Sequence, residues 1–270
     1  MSHWIEQTNF YHIYPFGFCG CEQYRKDVQE KSIPRIKKVI EWIPHIKSMN
    51  FNAIYFGPVF ESFEHGYDTT DYFKIDKRLG TNDDFKEVCD ALHENGIRIV
   101  LDGVFNHVGR EHFAFQDLIK NKQNSQYKDW FYGVNFGGNS SYNDGFSYDG
   151  WNGYYNLVKL NLHNQNVVDH LLSAAKFWID EFKIDGIRFD AADCLADSFI
   201  KSICHFTRSI KKDFWLMGEI IHGQPSRWVN HDMFDSITNY PCYKGLYSSH
   251  NDANYFEIAH SIEYQMGQSN

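Results

Sequence analysis

No stretch of the 270 residues approaches the roughly 18 apolar residues of a membrane-spanning helix, so a helical membrane protein is not expected. The N-terminus, MSHWIEQTNFYHIY, lacks the cationic start and apolar run of a secretory signal. Positive charge is also short: 26 Lys and Arg against 35 Asp and Glu leave a net charge of −9. Nucleic acid and anionic membrane surfaces would repel such a chain, so neither is expected as a partner. The six cysteines, at 19, 21, 89, 194, 204 and 242, form no CxxC pair of the zinc-binding kind. Cys19-Gly20-Cys21 is too tight for an ordinary disulfide loop, so reduced thiols in a cytoplasm are the expectation. A neutral, hydroxyl-rich partner is compatible with all of this. The aromatic content of 17% suits one, since Trp and Tyr offer a flat apolar face and a polar tip, although aromatics also fill ordinary cores.

Along the chain, short apolar strands alternate with amphipathic helices. The pattern predicts strands over 11–14, 52–56, 97–101, 186–189, 214–217 and, more weakly, 233–234. Helices are expected over about 33–49, 83–94, 198–211 and 253–266. A further helix starts near Asn166, which with Asp169 reads as its cap. It carries Val167, Val168, Leu171, Leu172, Ala175, Trp178, Ile179 and Phe182 at a 3.6-residue period. From 108 to about 161 the periodicity is lost in a stretch rich in Gly, Asn, Ser, Tyr and Trp. Strand–helix alternation implies a parallel sheet, because each parallel return needs a crossover. About six such units are legible, fewer than the eight of a closed (β/α)8 barrel. The fold is therefore either an open doubly wound sheet or an incomplete barrel.

Polar residues gather where the third, fourth and fifth strands end, at Asp102 to His107, Arg188 to Asp190, and Gly218-Glu219. Parallel α/β enzymes place their active sites there. Asp190 and Glu219 lie one helix and one strand apart, so they should top neighbouring strands about 4.8 Å apart. That spacing suits the roughly 5–5.5 Å pair of a retaining glycosidase. Arg188 shares a strand face with Asp190 and would hold it ionised, as the nucleophile. Glu219 leaves a strongly apolar strand, whose desolvation would favour a protonated acid/base. The bland alternative is a structural Arg–Asp pair with an unrelated Glu, and position at two successive strand ends weighs against it.

The segment Asp102-Gly-Val-Phe-Asn106-His107 is similar to the first signature of glycoside hydrolase family 13, the α-amylase family. Gly186-Ile-Arg188-Phe-Asp190 resembles the second and Gly218-Glu219 the third. Leu157-Val-Lys159-Leu-Asn161 looks like a motif of the neopullulanase and cyclomaltodextrinase relatives, and His65-Gly-Tyr67-Asp68 like the family's sugar-stacking segment. The resemblance implies a TIM barrel over 1–107 and 162–270, interrupted after the third strand by a small domain B at 108–161. It implies a retaining hydrolase of α-glucans or maltooligosaccharides, with Asp190 as nucleophile and Glu219 as acid/base. Tyr67 would stack on the sugar, Asp68, His107 and Arg188 would hydrogen-bond around it, and Asp102 would support the site. His222 is a candidate contact to the leaving-group sugar. Of the aromatics in the insertion, Trp130, Phe131, Tyr132, Trp151, Tyr154 and Tyr155, most should fill its own core and one or two face substrate.

The chemistry itself requires no cofactor. The resemblance makes Asn106 a candidate calcium ligand, although Asp193 and Cys194 stand where calcium-binding amylases usually have Lys and His. A metal-dependent hydrolase built on Asp102, His107 and Asp190 is the outside alternative, and it lacks the clustered His such sites prefer. The family's third carboxylate lies in an Asn-His-Asp segment after a seventh strand. Asn230-His231-Asp232 matches the letters but follows Glu219 too soon for the strand and helix that must intervene. The seventh and eighth strands, that Asp and the C-terminal β domain are thus expected to be absent, and activity to be weak or nil. A glucanotransferase and a non-catalytic glucan-binding derivative remain the alternatives, and the sequence leaves the oligomeric state open.

Overall fold

The computed structural model describes residues 4–27, 32–221 and 223–268. The chain opens with β1 (Phe10–Ile13) and a short turn of helix, α1 (Pro15–Phe18), then α2 (Lys38–Ser48) and β2 (Ala53–Phe56). An antiparallel hairpin, β3 (Phe60–Ser62) and β4 (Thr69–Ile75), precedes α3 (Asn82–Glu94) and β5 (Arg98–Gly103). Thr81 and Asp84 cap α3 reciprocally, which satisfies two of the donors a helix start leaves unpaired. The stretch that lacks periodicity holds β6 (His107–Gly109), α4 (Phe113–Asn121), β7 (Gly150–Trp151) and β8 (Tyr154–Lys159). Its three strands form a separate antiparallel sheet in the order β6-β8-β7. There Phe115 packs edge-on against Phe131 and Tyr148, with ring centroids 5.1 and 4.9 Å apart, so the insertion has a core of its own.

Next come α5 (Gln165–Phe182), β9 (Gly186–Phe189), α6 (Asp197–Ile210), β10 (Trp215–Gly218), β11 (Ser236–Ile237), α7 (Tyr240–Asn251) and α8 (Phe256–Gln268). Six strands form one parallel sheet in the order β1-β2-β5-β9-β10-β11. The sheet curls, because the ring of Phe10 on the first strand stacks on Trp215 of the fifth at 4.9 Å. This is an incomplete (β/α)8 barrel of six units. The doubly wound alternative is excluded by that curl, since an open sheet would hold its first and fifth strands far apart.

Parallel registration fixes which side chains point inward. One rung reads His12, Tyr55, Val100, Gly186 and Trp215, and the next reads Asp102, Arg188, Met217 and Ser236. Outside the sheet, α5 buries Val167, Val168, Leu171, Ala174, Ala175, Trp178, Ile179 and Phe182. Trp178 is stacked between Phe60 at 4.4 Å and Phe105 at 5.6 Å. Three expectations shift. Asn164, not Asn166, caps α5, since its side chain accepts from the Asn166 amide. The sixth strand falls at Ser236–Ile237, because Met233 and Phe234 turn into the core instead of extending the sheet. The helix expected over 253–266 is preceded by a separate one, α7, whose cap Asn239 and Pro241 are ordinary start signals.

At the foot of the barrel, buried Asp185 ties four elements together. It accepts from Arg98 Nη1 at 2.8 Å, His93 Nε2 at 2.9 Å, Lys211 Nζ at 2.7 Å and the Ile99 amide at 2.9 Å. Burial alone would push its carboxyl up, but His93, Lys211 and Arg98 outweigh it and hold the group below the usual carboxylate range. A carboxyl held down in the folded chain stabilises above its unfolded titration near pH 3.9, and that contribution fades as pH falls below it. Asp185→Asn should therefore lower the unfolding free energy by about 3–5 kcal/mol at pH 7. In denaturant titrations the gap between the two proteins should narrow steadily below about pH 4.

Candidate active site

The C-terminal ends of β5, β9 and β10 bring Asp102, Arg188, Asp190 and Glu219 into one cluster. The buried Arg188 guanidinium holds all three carboxylates. Its Nη1 donates to Asp102 Oδ1 at 2.7 Å and to Asp190 Oδ1 at 3.0 Å, and its Nη2 meets Glu219 Oε2 at 2.7 Å. Backbone bonds also set Asp190 and Glu219. The Asp190 amide donates to Gly103 O, and the Glu219 amide to Phe189 O. Ala191 takes a left-handed conformation, φ 43°, which is costly for a residue with a Cβ. That twist aims its amide at Glu219 Oε2, 3.0 Å away.

Two tyrosines that sequence reasoning missed complete the cluster. Tyr55 Oη donates to Asp102 Oδ2 at 2.7 Å, and Tyr240 Oη to Glu219 Oε1 at 2.5 Å. Burial and the Glu219 carboxylate push the Tyr240 phenol up to about 12, so it stays protonated and able to donate. Tyr55 could have been found by strand parity, as the last residue but one of β2. Tyr240 had no such signal, because it follows the strand whose position the sequence misplaces.

The electrostatics correct one expectation. Burial and the Asp102 charge push the Asp190 carboxyl up to about 7, and Arg188 does not compensate because three acids share it. Burial raises Asp102 as well, against the pull of Arg188. The expectation that Arg188 alone keeps Asp190 ionised thus fails for the free chain.

The loop between β3 and β4 lays Tyr67 beside this cluster, where burial and the Asp102 charge raise its phenol above the ordinary range. Gly66 makes the approach possible: its φ is +93°, and a Cβ there would meet Phe16 and Pro58 at 2.8 Å. His107 is buried and holds this loop from behind. Its Nε2 lies 3.0 Å from Tyr67 O, so Nε2 carries the proton, and Nδ1 accepts from Asn106 Nδ2 at 3.2 Å. Burial lowers this imidazole to about 4, in keeping with a neutral ring. Asp68 also serves the loop, accepting the Glu64 amide at Oδ2, while its buried Oδ1 has no hydrogen-bond partner among the described residues. Both nitrogens of His107 and one oxygen of Asp68 are therefore occupied inside the protein. His222 lies outside the described residues. Of the insertion's aromatics, Trp130 and Phe131 are buried, whereas Trp151 lies 5.8 Å from His107 with Tyr154 stacked on it.

Asn230-His231-Asp232 lies before β11, at the opposite rim from Glu219, and His231 O accepts from Arg208 on α6. It cannot join the cluster. For calcium, the fit is poor. Asn106 Oδ1 is buried without a partner and could give one ligand, but calcium takes six to eight oxygens. No group of three or more His, Cys, Asp or Glu among the described residues is placed to hold a metal ion.

Six parallel strands with acids at their C-terminal ends and an antiparallel insertion after the third define the class of incomplete (β/α)8 barrels with a carboxylate-lined rim. Residues 22–267 match the model of the alpha amylase catalytic domain, and the chain belongs to that family. It is 35% identical over 258 residues to a cyclomaltodextrinase of a Bacillus species, covering 88% of this chain and 45% of that protein. Neopullulanase 2 of Thermoactinomyces vulgaris is 33% identical over 251 residues, 88% of this chain and 42% of the relative. The cyclic alpha-maltosyl-(1→6)-maltose hydrolase of Arthrobacter globiformis superposes with a TM-score of 0.83 at 28% identity, over 98% of this chain and 62% of its own. The chain thus spans less than half the length of the curated relatives it matches.

The shared guanidinium predicts how Asp190 responds to its neighbour. Asp102→Asn removes a negative charge and leaves Arg188 to two acids, so Asp190 should titrate below its present value of about 7. Carboxyl-carbon NMR of both proteins between pH 4 and 9 should show the shift, and an unchanged or higher midpoint would contradict this electrostatic account.

Proposed function

We propose that the site is that of a retaining glycoside hydrolase acting on α-glucans, with maltooligosaccharides and related cyclic maltodextrins as the substrate class. The observation that carries this reading is the pair Asp190 and Glu219 on adjacent parallel strands, bridged by one guanidinium. Carboxylates bound to the two nitrogens of one guanidinium suit the roughly 5–5.5 Å acid pair of a retaining mechanism. Asp190, once ionised, attacks the anomeric carbon as the bond to the leaving oxygen breaks, and Glu219 gives that oxygen its proton. Water then replaces Asp190 at the same carbon, losing its proton to Glu219. Tyr67 offers an aromatic face beside the acids, and Trp151 with Tyr154 forms a second aromatic surface at the insertion's edge. Asp102 and Tyr55 act through Arg188, and Tyr240 acts through Glu219.

The relatives' names support the substrate class, and one is called an intracellular maltogenic amylase. Among the described residues no helix is long and apolar enough to cross a membrane, and all six cysteines are free. Both suit a cytoplasmic setting. The chemistry of two carboxylates asks for no cofactor.

The six described units lack a third carboxylate over the sugar hydroxyls. Losing one such electrostatic contact costs roughly 10²–10³ in rate, so hydrolysis by these 270 residues should be weak. With an aryl maltoside, whose leaving group needs little protonation, residual cleavage should rise with pH through about 7 as Asp190 ionises. Asp190→Asn should abolish it. Glu219→Gln should abolish maltodextrin cleavage while sparing the aryl substrate. Transfer to added maltose would point to a glucanotransferase. Maltooligosaccharide binding with no turnover, unaffected by Asp190→Asn, would make the chain a binding derivative and overturn the reading.

A further inference from the structure

Residues 63–68, which carry Tyr67, lie outside the β3–β4 ladder, so their backbone groups need partners from side chains and neighbouring loops. His107 supplies one at Tyr67 O, and Tyr14 Oη donates to His65 O at 2.9 Å. A further anchor is Arg78, in the turn between β4 and α3, whose side chain has no exposed surface. Its Nε and Nη2 donate to the two oxygens of Asp76, itself fully buried, at 2.8 Å each. That pairing orients the fork. Nη2 also donates to Ser62 Oγ at 2.8 Å, at the end of β3. Nη1 reaches three carbonyls: Glu64 in the loop, Gln23 at 2.8 Å and Glu22 at 3.3 Å. One planar cation thus ties the strand end, the loop and residues 22–23 into a unit, which the compact ammonium of a lysine could not do.

Two short paths lead from this fork towards the rim of the site. Along the polar one, Glu64 gives its carbonyl to Arg78 and its amide to Asp68 Oδ2 at 2.8 Å, which closes the loop around Tyr67. Along the apolar one, the Arg78 guanidinium lies over the Phe16 ring at 4.3 Å. The same ring fills the space beside Gly66, where a Cβ would meet it at 2.8 Å, and Tyr67 is the next residue. Phe16 is therefore held between the guanidinium and the backbone turn that aims Tyr67.

We propose that Arg78 is a positioning residue for the aromatic face of the site, fixing where the Tyr67 ring stands through the Glu64 carbonyl and the Phe16 ring. A buried ion pair adds little net stability over apolar packing, so what the Asp76–Arg78 pair contributes is geometry. Holding an aromatic loop in its bound conformation before a ligand arrives spares the cost of ordering it on binding. That Tyr67 meets a sugar rests on the glycosidase reading above. The link from Arg78 to Tyr67 does not.

The full 270-residue chain is compared with Arg78→Lys, which keeps the charge and loses the fork. Asp185→Asn is the control, since it weakens the fold at the foot of the barrel. In tyrosine-ring carbon NMR the Tyr67 signal should move in Arg78→Lys and stay in place in Asp185→Asn. With the aryl maltoside, Arg78→Lys should raise KM at least about tenfold while kcat stays within about threefold, a loss of uniform binding. On a Tyr67→Ala background the same change should cost less than about twofold, because both act through one ring. An unmoved Tyr67 signal in folded Arg78→Lys would overturn the proposal, as would KM losses that add where Tyr67→Ala has one of its own. If Tyr67→Ala leaves KM unchanged, the sugar reading fails, and a moved Tyr67 signal still upholds the link. Should Arg78→Lys not fold, Phe16→Leu decides in its place, because it removes only the ring between the guanidinium and Gly66. A moved Tyr67 signal there upholds the proposal, and an unmoved one overturns it.

Discussion

Everything at the top of this barrel depends on one guanidinium. Arg188 is a single buried cation among Asp102, Asp190 and Glu219, and each of its bonds to them is 3.0 Å or shorter. A fork of fixed planar geometry can hold acids on three neighbouring strands in a defined relation, which a flexible ammonium could not. The same shortage of positive charge leaves protons bound where burial is deepest. Asp190 is nine-tenths buried beside a second acid, and it lies near neutrality although its cationic partner is within hydrogen-bonding range. Attraction to Arg188 opposes desolvation and the Asp102 charge there, and the latter two win.

Around this centre the protein spends its remaining polar groups on position. Asn106, His107 and the Tyr67 carbonyl form a relay that fixes the aromatic loop, and Asp68 closes that loop at the Glu64 amide. Tyr240 matters for a different reason. It hangs from the helix after β11, the edge strand with only two paired residues, and it is the hydroxyl donor to Glu219. Glu219 is therefore supported from the helix that follows the shortest strand of the sheet. Stability at that edge and geometry at the site are linked through this residue.

Much of the fold was legible because a parallel βα chain repeats its signals. Strand ends at Asp102, Asp190 and Glu219, and the 3.6-residue stripe of α5, follow from local pattern alone. The sequence reading failed where long-range packing competes with local propensity. Met233 and Phe234 look like a strand, but burying their side chains is worth more than two ladder bonds, and the strand forms three residues later. Asn166 looks like a cap, yet Asn164 reaches the helix start first. Sites built from bulky side chains on different strands, such as Tyr55 against Asp102, needed the registration of the sheet to be seen.

Strand–helix order, the family signatures and the placing of Asp190 and Glu219 at successive strand ends were determined by the sequence, since each is a matter of residue type and spacing. Only the tertiary structure decided what state those acids are in and what holds them. The charge on Asp190 is set by burial and by Asp102, on the neighbouring strand but far back in the chain, and no local pattern encodes that sum. Asn230-His231-Asp232 is a different case: its spacing from Glu219 already set it apart from the site, and the structure places it before β11, beside α6. The curl of the sheet belongs to the structure as well, because the contact of Phe10 with Trp215 is what tells a barrel from an open sheet.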